Sequence, residues 1–292
     1  GISLMSEFLG LAYFAEVPLV IFNIQRGGPS TGMPTRTQQS DILSCAYASH
    51  GDTKHVLLFP EDPQECFEFS AEAFNLAERL QTPVFVISDL DIGMNDWVTD
   101  KFEWDDEQKY DRGKVLNAQD LDQMDNFGRY LDVDDDGICY RTYPGTHPEK
   151  GAFFTRGTSH DEYARYTENG DINEQTLTRL VKKFRTASEL VPDPIINLSE
   201  KQGSSGVIFY GSTSAAMYEA KDILNENNIE VDLMRIRSFP FNLDVWEFIE
   251  NHDLIYVIEQ NRDSQMRTLI MAEGGISAEK LRSLVWFNGD PI

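Results

Sequence analysis

The sequence predicts two α/β units, each built on a sheet of mainly parallel strands. Three observations carry this expectation. Apolar runs rich in Val and Ile recur at 17–24, 54–59, 83–88, 206–210 and 254–259 with little polar alternation, the pattern of strands buried on both faces. Helix-periodic stretches separate them, the order expected of parallel strands joined by crossover helices. Between 91 and 200 the alternation fades, which splits the chain into an earlier and a later unit.

In the earlier unit, Ser3 to Glu16 has apolar residues at helical spacing, with Ser3 as N-cap, and leads into the strand VPLVIFNI. Thr37 to Ser49 reads as a helix and KHVLLF as the next strand. Asp62 and Pro63 open a long helix through Leu80, with Pro63 in the first helical position. PVFVIS closes the unit's strands. The middle region is rich in aromatic and acidic residues and resolves only one clear helix, Asp171 to Val191, whose last turns carry Lys182, Lys183 and Arg185. Long irregular stretches in compact proteins often form lids or binding segments. After the Gly-Ser-Ser-Gly stretch at 203–206 come strand GVIFY, helix Ser214–Asn227, strand EVDLMRI, a helix around Val245–Asn251, strand LIYVIE, helix Ser264–Ala272 and a last strand beginning at Val285–Phe287.

The bulk properties narrow the function classes. The 292 residues, 41% hydrophobic, suffice for two cores. A net charge of −24 repels phosphate backbones, so nucleic acid is excluded as a partner; so acidic a surface also fits a salty habitat. No apolar run reaches about 18 residues, so no membrane span is expected. Cys45, Cys66 and Cys139 are too scattered to bind an iron–sulfur cluster and fit a reducing cytoplasm. Both ends, Gly1 on an amphipathic pattern and Ile292 just past a strand, are expected to be cuts through a longer protein.

The sharpest motif is the loop Gln25 to Gln39, QRGGPSTGMPTRTQQ, running from a strand end to a predicted helix start. Ligands of open α/β sheets bind beyond the carboxyl ends of strands. Gly27, Gly28 and Gly32 let backbone approach a ligand, and Arg26 has the forked guanidinium that grips a carboxylate. Arg36 and the start of the Thr37 helix add anion affinity. A plain crossover loop with a solvated arginine is the alternative. A second candidate is TRGTSHDEY at 155–163, where His160 and Asp161 line up as donors or acceptors; the alternative is a turn whose Asp161 caps the following helix. Asp132 to Gly137 imitates the start of a calcium loop, but Tyr143 stands where its bidentate glutamate belongs, so a solvated acidic turn is expected. Gly211 to Ser214 follows a strand as either an anion site or a helix cap.

These strings together, from GISLMSEFLGLAYFAEVPLVIFNIQRGGPSTGMPTRTQQSDI through SHGDTKHVLLFP, YRTYPGTH and TRGTSHDEY, resemble the alpha subunit of 2-oxoacid:ferredoxin oxidoreductases, particularly the 2-oxoglutarate type. The resemblance runs over nearly the whole chain. It implies that residues 1–200 form the later part of the pyrimidine-binding-type domain of a thiamin-diphosphate enzyme plus a long connecting region. Residues 201–292 would then form a transketolase C-terminal-like α/β domain. It implies coenzyme A-dependent oxidative decarboxylation of a 2-oxoacid, with electrons passing to ferredoxin through an iron–sulfur cluster on another chain. Arg26 matches the arginine expected to hold the substrate's 1-carboxylate, and Ser30, Thr31 and Arg36 lie in the same loop. His160 and Asp161 fall in a loop that approaches the active site in the family. The glutamate that activates the cofactor and a Tyr-Pro-Ile-Thr-Pro stretch are absent here. The Gly-Asp-Gly…Asn-Asn motif that holds magnesium and diphosphate is absent too and belongs to a beta subunit. The isolated chain is therefore expected to be inactive. Pyruvate or a branched-chain acid as substrate, and a non-catalytic scaffold role, remain alternatives; a second pocket cation, for which Arg36 is the candidate, would favour a dicarboxylate.

Overall fold

The computed structural model describes residues 1–199 and 205–292. The expected boundary at 200/201 and the start of the Gly-Ser-Ser-Gly stretch lie outside the described residues. A short 3-10 turn, Ile2–Met5, precedes α1 (Ser6–Phe14), so Ser3 sits inside that turn rather than capping the helix. Strand β1 (Leu19–Gln25) follows, then a five-residue helix α2 (Ile42–Ala46) and β2 (Val56–Leu58). The Asp62 carboxylate accepts the Glu65 amide (2.7 Å) and Pro63 opens α3 (Pro63–Leu80), as the sequence requires. Next come β3 (Pro83–Asp89), buried at all seven positions, and the short helix α4 (Leu90–Met94). In the first sheet β1, β3 and β2 run parallel in that order.

The middle region holds α5 (Ala118–Gln123), opened by an Asn117–Asp120 capping box, and α6 (Gly170–Ala187). The second sheet has β4 (Ile195–Asn197), β5 (Ser205–Tyr210), β6 (Asp232–Ile236), β8 (Leu254–Glu259) and β9 (Leu281–Val285) in the order β4-β6-β5-β8-β9. Only β4 runs antiparallel. Helices α7 (Ser214–Glu226), α8 (Leu243–Glu250) and α9 (Gln265–Gly274) cross between its strands. Two-residue β7 (Ser238–Phe239) leaves this run and pairs antiparallel with β2, so the later chain supplies the edge of the first sheet.

One core joins both sheets. Leu57 and Phe85 of the first sheet pack in the same cluster as Ile208, Met234 and Val257 of the second. A second cluster sits under α3 and takes in Ile138, Ala187 and Val191 from the middle region. No helix among the described residues is long and apolar enough to cross a membrane.

Two further expectations about elements need correction, and two open readings are narrowed. The helix expected over Thr37–Ser49 forms only at Ile42–Ala46. The amides of Thr37 and Gln39 are given instead to the carbonyls of Gly289 (3.2 Å) and Gln260 (2.8 Å), so residues 37–41 are pulled out as a strap. The last strand lies at Leu281–Val285 rather than starting at Val285, because it pairs with β8 along Ile255–Glu259. Gly211 to Thr213 make a 3-10 turn whose side chains are buried, which leaves no open anion site. The acidic turn is closed by lysines. Lys114 bridges Asp134 (2.7 Å) and Asp136 (2.9 Å), and Lys182 joins Asp132 and Asp135.

Candidate functional site

The loop after β1 is fixed by its own backbone. Gly27 donates to the Arg36 carbonyl (2.8 Å), Met33 donates to Gly27 (2.8 Å), and Gly28 donates to the Gln38 side chain (2.9 Å). Gly32 closes the turn at φ +46°, where a Cβ would sit 2.1 Å from the Gly27 carbonyl oxygen. Gly32→Ala is expected to cost the loop about 1–2 kcal/mol of backbone strain in addition to that clash. Hydrogen exchange at the Gly27 and Met33 amides should speed up; unchanged exchange would show that this turn does not hold the loop.

The loop borders a cleft of 1230 Å³ between the carboxyl ends of β1 and β8. Arg26, Ser30 and Thr31 all line it. Ser30 is held at φ 55°, and Arg26 makes no side-chain hydrogen bond or ion pair with another described residue. An arginine so placed keeps all its donors for a ligand.

Arg36 is not brought to this cleft. It lies outside the lining and pairs with Asp290 (3.1 Å), which ties the loop to the chain after β9. His160 and Asp161 are also elsewhere. His160 is fully buried, its ring centre 3.9 Å from that of Tyr130 in a tilted pair and 5.1 Å from that of Phe14 edge-on, with Nδ1 against the Thr158 carbonyl (2.9 Å). Burial lowers its pKa, so it sits there neutral. Asp161 accepts the amides of Tyr163 (3.0 Å) and Arg165 (2.8 Å) and so closes a turn, but it caps no helix: the next one begins at Gly170 and is capped by Asn169.

The far wall comes from residues that sequence reasoning passed over, Asn261, Arg262, Asp263 and Gln265. They follow directly on LIYVIE, so the rule that placed weight on the end of β1 applied equally to the end of β8. A buried polar network welds the two walls. The Gln39 amide group donates to the Tyr210 carbonyl (3.2 Å) and its oxygen accepts the Gln260 amide (3.2 Å). Asn261 Nδ2 donates to the Gln39 carbonyl (3.0 Å) and to Glu259 (2.7 Å). Ser212 donates to Asp89 at 2.6 Å. Burial raises the carboxyl pKa of both Asp89 and Glu259, and their hydrogen-bond donors offset only part of that shift.

Comparison with known proteins decides the family. A family model described as "Pyruvate flavodoxin/ferredoxin oxidoreductase, thiamine diP-bdg" matches residues 1–186. The chain belongs to that family. Among its relatives, 2-oxoacid:ferredoxin oxidoreductase 2, subunit alpha, of Aeropyrum pernix is 32% identical over 100% of this chain and 44% of its own length. The 2-oxoglutarate synthase subunit KorA of Methanocaldococcus jannaschii is 33% identical over 84% of this chain and 63% of its own. The structure of 2-oxoglutarate:ferredoxin oxidoreductase from Magnetococcus marinus, with 2-oxoglutarate, coenzyme A and succinyl-CoA bound, superposes over 100% of this chain and 49% of that one, with a TM-score of 0.87 at 26% identity. The chain thus spans about half the length of several of these relatives. The fold is the one the sequence implied, that of a thiamin-diphosphate-enzyme α/β domain with a smaller α/β unit after it.

No group of three or more His, Cys, Asp or Glu among the described residues converges as a metal-ion cluster. The two buried carboxylates near the cleft, Asp89 and Glu259, are taken up by Ser212 and by the start of α9.

Proposed function

We propose that the chain is part of the alpha subunit of an enzyme that oxidatively decarboxylates a 2-oxoacid, 2-oxoglutarate in the first place, and passes the acyl group to coenzyme A. In this reading ferredoxin takes the electrons through an iron–sulfur cluster on another chain. A beta subunit supplies the magnesium and most contacts to thiamin diphosphate, and the assembly works in the cytoplasm. Residues 1–200 and 201–292 act as the two domains whose contact builds the cleft.

The observation that carries the reading is Arg26, uncommitted among the described residues and aimed from a rigid Gly-rich loop into a cleft at the end of β1. Its guanidinium receives the carboxylate beside the oxo carbon through paired N–H bonds. Ser30 and Thr31 offer hydroxyls on the same rim. Arg36 serves the loop's position through Asp290. The names of the relatives support the substrate class.

The test uses the complete subunit assembly, loaded with its cofactors, reducing an artificial one-electron acceptor with coenzyme A and 2-oxoglutarate, pyruvate or a branched 2-oxoacid. Arg26→Ala removes a charged hydrogen-bond pair worth about 1.5–3 kcal/mol, so kcat/KM should fall roughly ten- to hundredfold. Preference for another acid would move the substrate and keep the chemistry. No turnover of any 2-oxoacid would leave the chain as a scaffold.

A further inference from the structure

We propose that Arg262 is the second anion-holding residue of this cleft, gripping either the far carboxylate of a 2-oxoacid whose near carboxylate meets Arg26 or a phosphate of the coenzyme A that takes the acyl group. The inference rests on the reading of Arg26 given above and adds the residue that holds the second anionic group.

Arg262 and Asp263 form the exposed tip between β8 and α9, and the chain on either side is bolted down. Before the tip, Asn261 is fully buried and holds the Gln39 carbonyl (3.0 Å) and Glu259 (2.7 Å). After it, Gln265 donates to the Ser40 carbonyl (2.6 Å) and accepts the Leu43 amide (3.1 Å). The Asn261 side chain closes the turn by accepting the Gln265 amide (3.1 Å). The strap at 37–41 and the start of α2 continue the Arg26 loop, so the two arginines stand on one rigid frame, each just past the end of a parallel strand.

The Arg262 side chain is 72% exposed, and its one partner among the described residues is its neighbour Asp263, through Nε (2.8 Å) and Nη2 (3.0 Å). An exposed pair of this kind is worth little, so an incoming carboxylate or phosphate exchanges with Asp263 at small cost. The fourth charged residue of the lining, Asp41, is occupied by Asn23 (3.1 Å). In a chain of net charge −24, a cleft whose only basic side chains among the described residues are Arg26 and Arg262, one after each strand end, is a local site for anionic groups. Arg36, which the loop sequence nominated for this task, is committed to Asp290 outside the cleft.

Two ligands carry the required chemistry, the far carboxylate of a dicarboxylic 2-oxoacid and a phosphate of coenzyme A. In the complete assembly, equilibrium binding of 2-oxoglutarate, 2-oxobutyrate and coenzyme A would be measured for the wild type, Arg262→Gln and Asp263→Asn. Weakening of 2-oxoglutarate roughly ten- to hundredfold in Arg262→Gln, with 2-oxobutyrate unchanged, assigns the carboxylate. The same weakening of coenzyme A, with both acids unchanged, assigns the phosphate. Asp263→Asn, which removes the competing carboxylate, should tighten whichever ligand Arg262 holds. Binding of all three within twofold of wild type in Arg262→Gln overturns the proposal, as does weaker binding in Asp263→Asn. If Arg26→Ala loses both acids while Arg262→Gln loses nothing, the function stands and this inference falls. If the wild type binds no 2-oxoacid and no coenzyme A, both fall.

Discussion

Replacing Glu16 by Gln is expected to destabilise the chain by about 3–5 kcal/mol, the cost of leaving buried cations without their anion. Glu16 is the residue after α1's cap, at φ 55°, and its carboxylate is buried. It accepts two bonds from Arg179 (2.5 and 3.1 Å) and one from Lys183 (2.8 Å), both on α6. Its carbonyl accepts a further bond from Arg129 (2.9 Å). Gln keeps the shape but carries no charge, so Arg179 and Lys183 would face each other uncompensated. The urea midpoint should drop with an unchanged slope, since the same surface unfolds. A loss below about 1 kcal/mol would mean that the triad is hydrated rather than sealed.

The same carboxylate sets an acid response. Burial alone would raise its pKa, but Lys183 and Arg179 outweigh burial and hold it well below the ordinary carboxylate range. A depressed folded-state pKa stabilises above the unfolded value of 4.5 and loses that contribution as pH falls below it. Glu16→Gln should therefore flatten the decline of stability below pH 4.5, where the wild type still gains from its ionised carboxylate.

How much of this was legible follows from where the hydrogen bonds go. VPLVIFNI and PVFVIS announced β1 and β3 because strands buried on both faces write their burial into local composition. Asp62-Pro63 announced α3 because the cap and its helix are neighbours in sequence. The strap at 37–41 has helix-compatible residues, and its extended form is dictated by carbonyls of Gln260 and Gly289, more than two hundred residues on. β7 is two residues long and exists through its pairing with β2. The site divided along the same line. Arg26, Ser30 and Thr31 were readable from a Gly-rich loop after an apolar strand. Arg262 stands in a turn without glycine, and only the weld through Asn261 and Gln265 brings it across from Arg26. His160 read as chemistry because it neighbours acids in sequence, yet its ring lies among Tyr130 and Phe14.

Arg235→Met should cost about 3–5 kcal/mol and loosen the join between the two sheets. Arg235 on β6 is almost fully buried and forks onto Glu65 of α3 at 2.6 and 3.1 Å, with Glu61 at 3.1 Å. Methionine nearly keeps the volume, so the loss is electrostatic: Glu65 retains Arg237 (2.8 Å), while Glu61 loses its cation. Burial raises the Glu65 pKa, and Arg235 and Arg237 reverse that and lower it; Glu61 is already raised by burial. Without Arg235 both carboxyls move up. The penalty should then be largest at neutral pH and shrink as pH falls and they take up protons, the same direction as for Glu16→Gln. Adding Glu61→Gln removes the stranded charge and should recover part of the loss, giving a coupling that the single variants cannot show. Because β6 leads directly into β7, which pairs with β2, the same variant tests whether this ion pair sets the distance between the ends of β1 and β8. If it does, ligand affinity in the cleft falls along with stability; if stability falls while affinity holds, the polar weld at Gln39 and Asn261 sets the cleft alone.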